Sequence, residues 1–125
     1  MKQSPREVTP TKAFAMIKKG AVLVDVREAR EVARKSFDVP DVLEIPLRQL
    51  EARYREIPAG RQVIVACQHG SRGLMASRIL SKHGYTKTVN MQSGIVRWAS
   101  EGLPLKEKPK QSMLSRLLQL FGKKS

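Results

Sequence analysis

The sequence predicts an α/β fold in which a mostly parallel sheet is covered by helices on both faces. Short apolar runs rich in β-branched residues alternate with helical periodicity four times along the 125 residues. One run, Val63-Ile64-Val65-Ala66, is continuously apolar, as a strand buried on both faces requires. Turn residues punctuate the alternation, most plainly Gly20, Pro46, Pro58-Ala59-Gly60 and Gly84.

Each element has a local reason. Residues 1–7 are polar and predict a frayed start. Thr9-Pro10 begins a helix, with Thr9 as N-cap and Pro10 at the first helical position. Ala13, Phe14 and Ile17 form its inward stripe, Lys18 and Lys19 suit its C-terminal dipole, and Gly20 supplies the stop. Residues 21–26 read as a strand, apolar until Asp25. A short charged helix over 28–35, a loop over 37–41 and a strand over 42–45 follow. Leu47, Leu50 and Tyr54 stripe a further helix. The strand 63–66 leads through a loop to a helix over 73–83, with Gly84 at C′. Residues 88–91 form the last strand. Ile95, Trp98 and Ala99 mark the last domain helix, which Gly102-Leu103-Pro104 closes. No internal repeat is visible.

The chemistry concentrates in residues 62–73, Q-V-I-V-A-C-Q-H-G-S-R-G. Cys67, the single cysteine, falls where the strand ends. A polar loop, Gln68-His69-Gly70-Ser71-Arg72, follows, and Gly73 opens the helical pattern. The first N–H groups of a helix lack intrahelical partners and carry partial positive charge. A loop containing glycine can turn further N–H groups inward as an anion nest. A thiol centred there is poised to act as the nucleophilic thiolate. The competing reading is a buried, inert cysteine serving as a small hydrophobe. The polar loop and the helix behind it favour the reactive one. Asp25 and Arg27 end the strand 21–26, on the side where open parallel sheets bind ligands. They approach Cys67 if the two strands are neighbours, or form an ion pair that ties loops together. His69, His83 and Cys67 fit no common zinc spacing, so neither a metal nor another cofactor is expected. His83 reads as a cation at a helix C-terminus, and His69 as solvent-facing or as tuning the thiolate.

The pattern C-x-x-G-x-R from Cys67 to Arg72 resembles the active-site loop of the rhodanese family of sulfurtransferases. Protein tyrosine phosphatases place an arginine one step later, where this chain has Gly73. The resemblance runs from about residue 8 to 105. Val22-Leu23-Val24-Asp25-Val26-Arg27-Glu28 is similar to the family's L-I-D-V-R-E strand. Val39-Pro40 and Leu43-Glu44-Ile45-Pro46-Leu47 resemble its H-I-P-G-A-x-N-I-P-L segment, with Asp38 replacing the histidine and Asp41 the glycine. Gly84-Tyr85, Thr88-Val89-Asn90-Met91, Ser93-Gly94-Ile95 and Trp98 resemble G-F-x-x-V-x-x-L-x-G-G-x-x-x-W, with Ser93 at the first of the two glycines. Gly102-Leu103-Pro104 matches the closing G-x-P.

The resemblance implies a three-layer rhodanese-like fold and a sulfurtransferase working in two half-reactions. Cys67 would take the outer sulfur of thiosulfate or of another protein's persulfide. The resulting Cys67 persulfide would be cradled by Gln68, His69, Gly70, Ser71, Arg72 and Gly73, and a nucleophilic acceptor would then remove its sulfur. Arg72 either holds the donor's oxyanion or fixes the loop; Asp25 and Arg27 support the site. Two alternatives stand beside this. One is a non-enzymatic sulfur carrier or partner-targeting module. The other is a cysteine phosphatase or arsenate reductase-type enzyme, against which the short loop argues.

Composition bounds the rest. The length is one domain's worth, enough for a core without disulfides. One cysteine excludes an intramolecular disulfide and suits a reducing compartment. Residues 1–5 lead into no apolar signal core, and no apolar run reaches the length of a membrane span. The expectation is a cytoplasmic protein. The net charge of +13 invites a nucleic-acid reading, but the six aromatics are not interleaved with a basic cluster. A solvated basic surface is the better account. The expected partners are a small anionic sulfur donor or a persulfide-carrying protein, and a sulfur-acceptor protein.

After Leu105 the character changes, which divides the chain into a domain over 1–105 and a tail over 106–125. Lys106-Glu107-Lys108-Pro109-Lys110 reads as a basic linker. Met113, Leu114, Leu117, Leu118, Leu120 and Phe121 then share one helical arc, opposite Ser115, Arg116 and Gln119. This amphipathic segment could pack back on the domain, dock a partner or second copy, or make a weak contact with an anionic membrane surface.

Overall fold

The structure, a computed structural model, describes residues 6–107 and Leu118. The order is β1 (Arg6–Val8), α1 (Pro10–Lys18), β2 (Val22–Asp25), α2 (Ala29–Arg34), β3 (Lys35–Phe37), β4 (Leu43–Glu44), α3 (Leu50–Arg53), β5 (Val63–Ala66), α4 (Ser71–Lys82), β6 (Thr88–Met91), α5 (Gly94–Ser100) and β7 (Leu105–Glu107). The α/β class read from the sequence is the one observed.

Five strands form one sheet in the order β1-β6-β5-β2-β4, and every pairing is parallel. β5 is central, which explains its unbroken apolar run. Its side chains still alternate between two cores. Leu23, Ile64, Ala66, Val89 and Met91 face one core together with Ala13 and Ile17 of α1 and Ile95 and Trp98 of α5. Val22, Val24, Val63, Val65 and Cys67 face the other, with Leu50 of α3 and Ala76 and Leu80 of α4. Both faces of the sheet are thus covered.

Several elements differ from the sequence reading. Residues 6–8 are ordered as β1, paired with β6 from Arg6 opposite Val89 to Val8 opposite Met91. The sequence Arg-Glu-Val carries no strand signature of its own; an edge strand with one apolar residue is defined by its neighbour. The charged helix ends at Arg34, and its last position joins β3. β3 pairs antiparallel with β7, setting Lys35 opposite Glu107 and Phe37 opposite Leu105. Lys106 and Glu107, read as linker, therefore lie in a strand. The helix expected around Leu50 is broken into single 3-10 turns at Leu47–Gln49 and Tyr54–Glu56 about the short α3. The remainder of the amphipathic tail lies outside the described residues, save Leu118, which is helical and exposed. No helix among the described residues is long and apolar enough to cross a membrane.

Trp98 anchors the core beneath α1 and α5. It is fully buried and receives Phe14 and Phe37 edge-on at centroid distances of 5.6 and 5.1 Å. Its indole N–H donates to the carbonyl of Pro104 at 2.8 Å, so the closing G-x-P segment is fastened to the core. Trp98→Ala is expected to cost about 3–5 kcal/mol. Thermal unfolding should show the melting temperature falling by more than about 10 °C. A fall of only a degree or two would mean that Trp98 is not the anchor.

Candidate active site

β2 and β5 are neighbours, with Asp25 directly opposite Ala66, so their C-terminal ends open onto one place. Cys67 follows β5 at once and is almost wholly buried. Only Gln68, His69 and Gly70 separate it from α4, which begins at Ser71. Ser71, Arg72 and Gly73 are thus the first turn of the helix, not loop. Gly70 is the N-cap, at φ +110°, a left-handed value that glycine accepts without strain. The turn points two backbone N–H groups at the sulfur: Gly70 N donates to Cys67 Sγ at 2.9 Å and Gly73 N at 3.3 Å. These are the unpartnered donors of a helix start, arranged for negative charge on sulfur.

The cradle is held from two further sides. A Cβ on Gly73 would stand 1.9 Å from Asn90 Oδ1, so α4 meets β6 closely only because position 73 lacks one. Buried Asn90 donates through Nδ2 to the Gly70 carbonyl at 3.2 Å and to Glu7 Oε2 on β1 at 3.1 Å. From α5, Ile95 N donates to the Cys67 carbonyl at 2.8 Å and Val96 N to the Gln68 carbonyl at 3.2 Å. A Cβ on Gly94 would lie 2.2 Å from that Cys67 carbonyl oxygen. The start of α5 thereby fixes the two peptides that precede the turn.

Two arginines stand around the turn, each with a carboxylate. Arg27 is 1% exposed and bonds Asp25 through Nε at 3.0 Å and Nη2 at 2.8 Å. It also donates to the carbonyls of Lys35 at 2.8 Å and Glu31 at 3.4 Å, and to Gln68 Oε1 at 3.4 Å. Arg72 grips Glu31 of α2 with two parallel bonds, Nη1 to Oε1 at 2.7 Å and Nη2 to Oε2 at 2.9 Å. Glu31 Oε1 also accepts the Glu28 N–H at 2.9 Å, closing a capping box at the start of α2. The Arg72 bonds, chiefly, hold the Glu31 carboxyl at about 2, against an ordinary 4.5.

The structure therefore brings Asp25, Arg27, Gln68, Gly70, Arg72 and Gly73 around Cys67. His69 is exposed on the turn. His83 stands at the far end of α4, stacked on Tyr54 at 4.0 Å and bonded to Glu51 at 2.6 Å. Glu31, Asn90 and Gly94 received no site role from the sequence. Glu28-x-x-Glu31 is a capping-box spacing that could have drawn attention to Glu31.

Comparison with known proteins agrees with this geometry. Residues 9–101 match the family model described as the rhodanese-like domain, and the chain belongs to that family. A protein of Allochromatium vinosum named sulfurtransferase is 37% identical over 84 residues, spanning 67% of this chain and 77% of its own. The thiosulfate sulfurtransferase GlpE of Pseudomonas syringae pv. syringae is 28% identical over 93 residues, spanning 74% and 86%. Among solved structures, a rhodanese-related protein of Thermoplasma volcanium superposes with a TM-score of 0.73 at 26% identity, covering 82% of this chain and 99% of that one.

The Glu31–Arg72 bond has a pH signature. A carboxylate depressed on folding contributes stability that is complete above its unfolded value and lost as pH falls through the folded one. For Glu31 that window runs from 4.5 down to about 2. Thermal unfolding of wild type and Glu31→Gln should therefore differ most above pH 4.5 and converge toward about 2. A difference undiminished at the acid end would assign the effect to side-chain shape instead of charge.

Proposed function

We propose that the chain is a sulfurtransferase carrying sulfane sulfur on Cys67. The observation that supports this best is the pair of N–H donors from Gly70 and Gly73 on a buried Sγ at the end of the central strand. In the first half-reaction the Cys67 thiolate attacks the terminal sulfur of a donor. The new bond joins Sγ to that sulfur, the donor's S–S bond breaks, and its electron pair leaves with the remainder, as sulfite from thiosulfate or a thiolate from a persulfide. In the second, a nucleophile attacks the outer sulfur and the electron pair returns to Sγ. No oxidant or reductant is consumed. This is covalent catalysis with an activated nucleophile.

The residues divide the work. Cys67 is the nucleophile. The turn from Gln68 to Gly73 forms the cradle, and its fixed amide dipoles stabilise sulfur-centred anions without reorganising. Asp25 and Arg27 support Gln68 from below. Donors of either chemistry, and a small-molecule or protein acceptor, fit this scheme. The names of the Allochromatium and Pseudomonas relatives support sulfur transfer.

Intact mass after incubation with donor tests the reading: one sulfur atom should be added and then removed by reductant. Cys67→Ser should gain none and should form no thiocyanate from cyanide, since serine neither ionises near neutral pH nor forms a persulfide. Transfer near the wild-type rate by Cys67→Ser would end the proposal. Hydrolysis of an aryl phosphate should stay at background, because no arginine follows the six-residue turn to clamp phosphoryl oxygens. Robust turnover lost in Cys67→Ser would point to a phosphatase.

A further inference from the structure

We propose that Glu31 sets donor specificity, by occupying Arg72 and so favouring a thiol persulfide over thiosulfate. The inference rests on the sulfurtransferase reading and assigns the substrate class of that site. Thiosulfate is a dianion, and it leaves as sulfite, another dianion. Accepting it beside Cys67 calls for a free cation to meet the sulfonate oxygens. The two guanidiniums bonded to the site's own framework each face a carboxylate that offsets their charge. Arg27 is buried, and its five N–H groups meet Asp25, Lys35, Glu31 and Gln68. Arg72 is held on both oxygens of Glu31. Asp25, Arg27, Glu31 and Arg72 sum to zero charge. A dianion would either approach this neutral set uncompensated or displace the Glu31 carboxylate from Arg72.

A thiol persulfide makes no such demand. Sγ attacks the terminal sulfur of R–S–SH, the Sγ–S bond forms, and the donor's S–S bond breaks with its electron pair on R–S⁻. The proton stays on the transferred sulfur. Only one sulfur has to enter the cradle, where the N–H groups of Gly70 and Gly73 already point. The leaving thiolate departs toward solvent on its own carrier.

Glu31 is also placed to exert this control without being part of the nucleophile's own hydrogen bonding. It sits on α2, across from α4, and both partners are partly exposed at the rim, at 27% and 33%. Glu31→Gln keeps an oxygen for the Glu28 N–H but removes the negative charge that holds Arg72. The guanidinium then becomes available to a sulfonate.

The test is the single-turnover rate at which Cys67 acquires sulfur, read by quenched intact mass, with glutathione persulfide and with thiosulfate as separate donors. Wild type should load from the persulfide faster, by on the order of tenfold or more. Glu31→Gln should shift the thiosulfate-to-persulfide ratio toward thiosulfate by a similar factor, and Glu31→Gln with Arg72→Ala should reverse that shift. Equal loading of wild type from both donors overturns the inference, as does a ratio unmoved by Glu31→Gln. Either result leaves the sulfurtransferase reading standing, since Cys67 still gains sulfur. Loading from neither donor overturns both. The wild-type comparison needs no variant, so poor folding of Glu31→Gln cannot shelter the inference.

Discussion

The site depends on two places where backbone must approach backbone or amide without an intervening Cβ. At Gly94 the first turn of α5 meets the Cys67 carbonyl, and at Gly73 the first turn of α4 meets Asn90. Two helix starts therefore converge on one short turn, with opposite duties. α4 offers N–H groups to the sulfur, while α5 offers them to the carbonyls of Cys67 and Gln68. Helix N-termini carry unpartnered donors that burial would otherwise leave costly. Here those donors are satisfied by Cys67 and its neighbour, so the requirement that closes the fold also orients the thiol. A side chain at Gly94 would push α5 off the backbone of Cys67 and Gln68, and one at Gly73 would displace the Asn90 amide that holds the Gly70 carbonyl.

Beneath this turn lies a buried charge pair. Burying an arginine and an aspartate is costly unless their remaining hydrogen-bonding groups are met. Arg27 satisfies that condition with Asp25, the carbonyls of Lys35 and Glu31, and Gln68. Its partners belong to β2, α2, β3 and the turn after Cys67, so one side chain sets the distance between them. Glu31 continues the chain outward: its carbonyl faces Arg27 and its carboxylate faces Arg72. Asp25, Arg27, Glu31 and Arg72 thus form an alternating series from the sheet to the rim. Its inner pair is walled off from solvent, whereas its outer pair is partly exposed. That gradient separates the buried ion pair from the one at the rim.

What the sequence made legible follows from where its signals are local. β2 and β5 are apolar runs at the sheet's centre, broken only by Asp25, and their burial is written in their composition. The position of Cys67 at a strand's end, and the glycine and arginine after it, could be read the same way. β1, β3 and β7 could not, because each is three residues long and exists through a partner far away in the chain, as Phe37 does through Leu105 and Arg6 through Val89. α4 starts at Ser71, two residues before Gly73, because Gly70 in the left-handed region turns the chain directly into the helix. Glu31 was hidden more deeply. Its spacing from Glu28 marks it locally as a capping-box residue, but nothing local shows that its carboxylate also meets Arg72, 41 residues further on.

The departures from the family's glycines have a conformational meaning of their own. Asp41 and Ser93, which stand where glycines are common, have φ of 59° and 61°, the only positive values at non-glycine residues among those described. The backbone has kept the left-handed turn and the side chain has been fitted to it. Such a conformation costs an L-residue roughly 1–2 kcal/mol, somewhat less for aspartate, which favours it more than most. Asp41 lies in an exposed loop before β4, where the chain could relax around it. Ser93 has no such freedom. Gly94, the next residue, is fixed against Cys67, and the N–H groups of Ile95 and Val96 are committed to the turn. Position 93 must therefore hold the left-handed value whichever residue occupies it, and the cost is borne by the fold so that α5 can stay against the turn after Cys67.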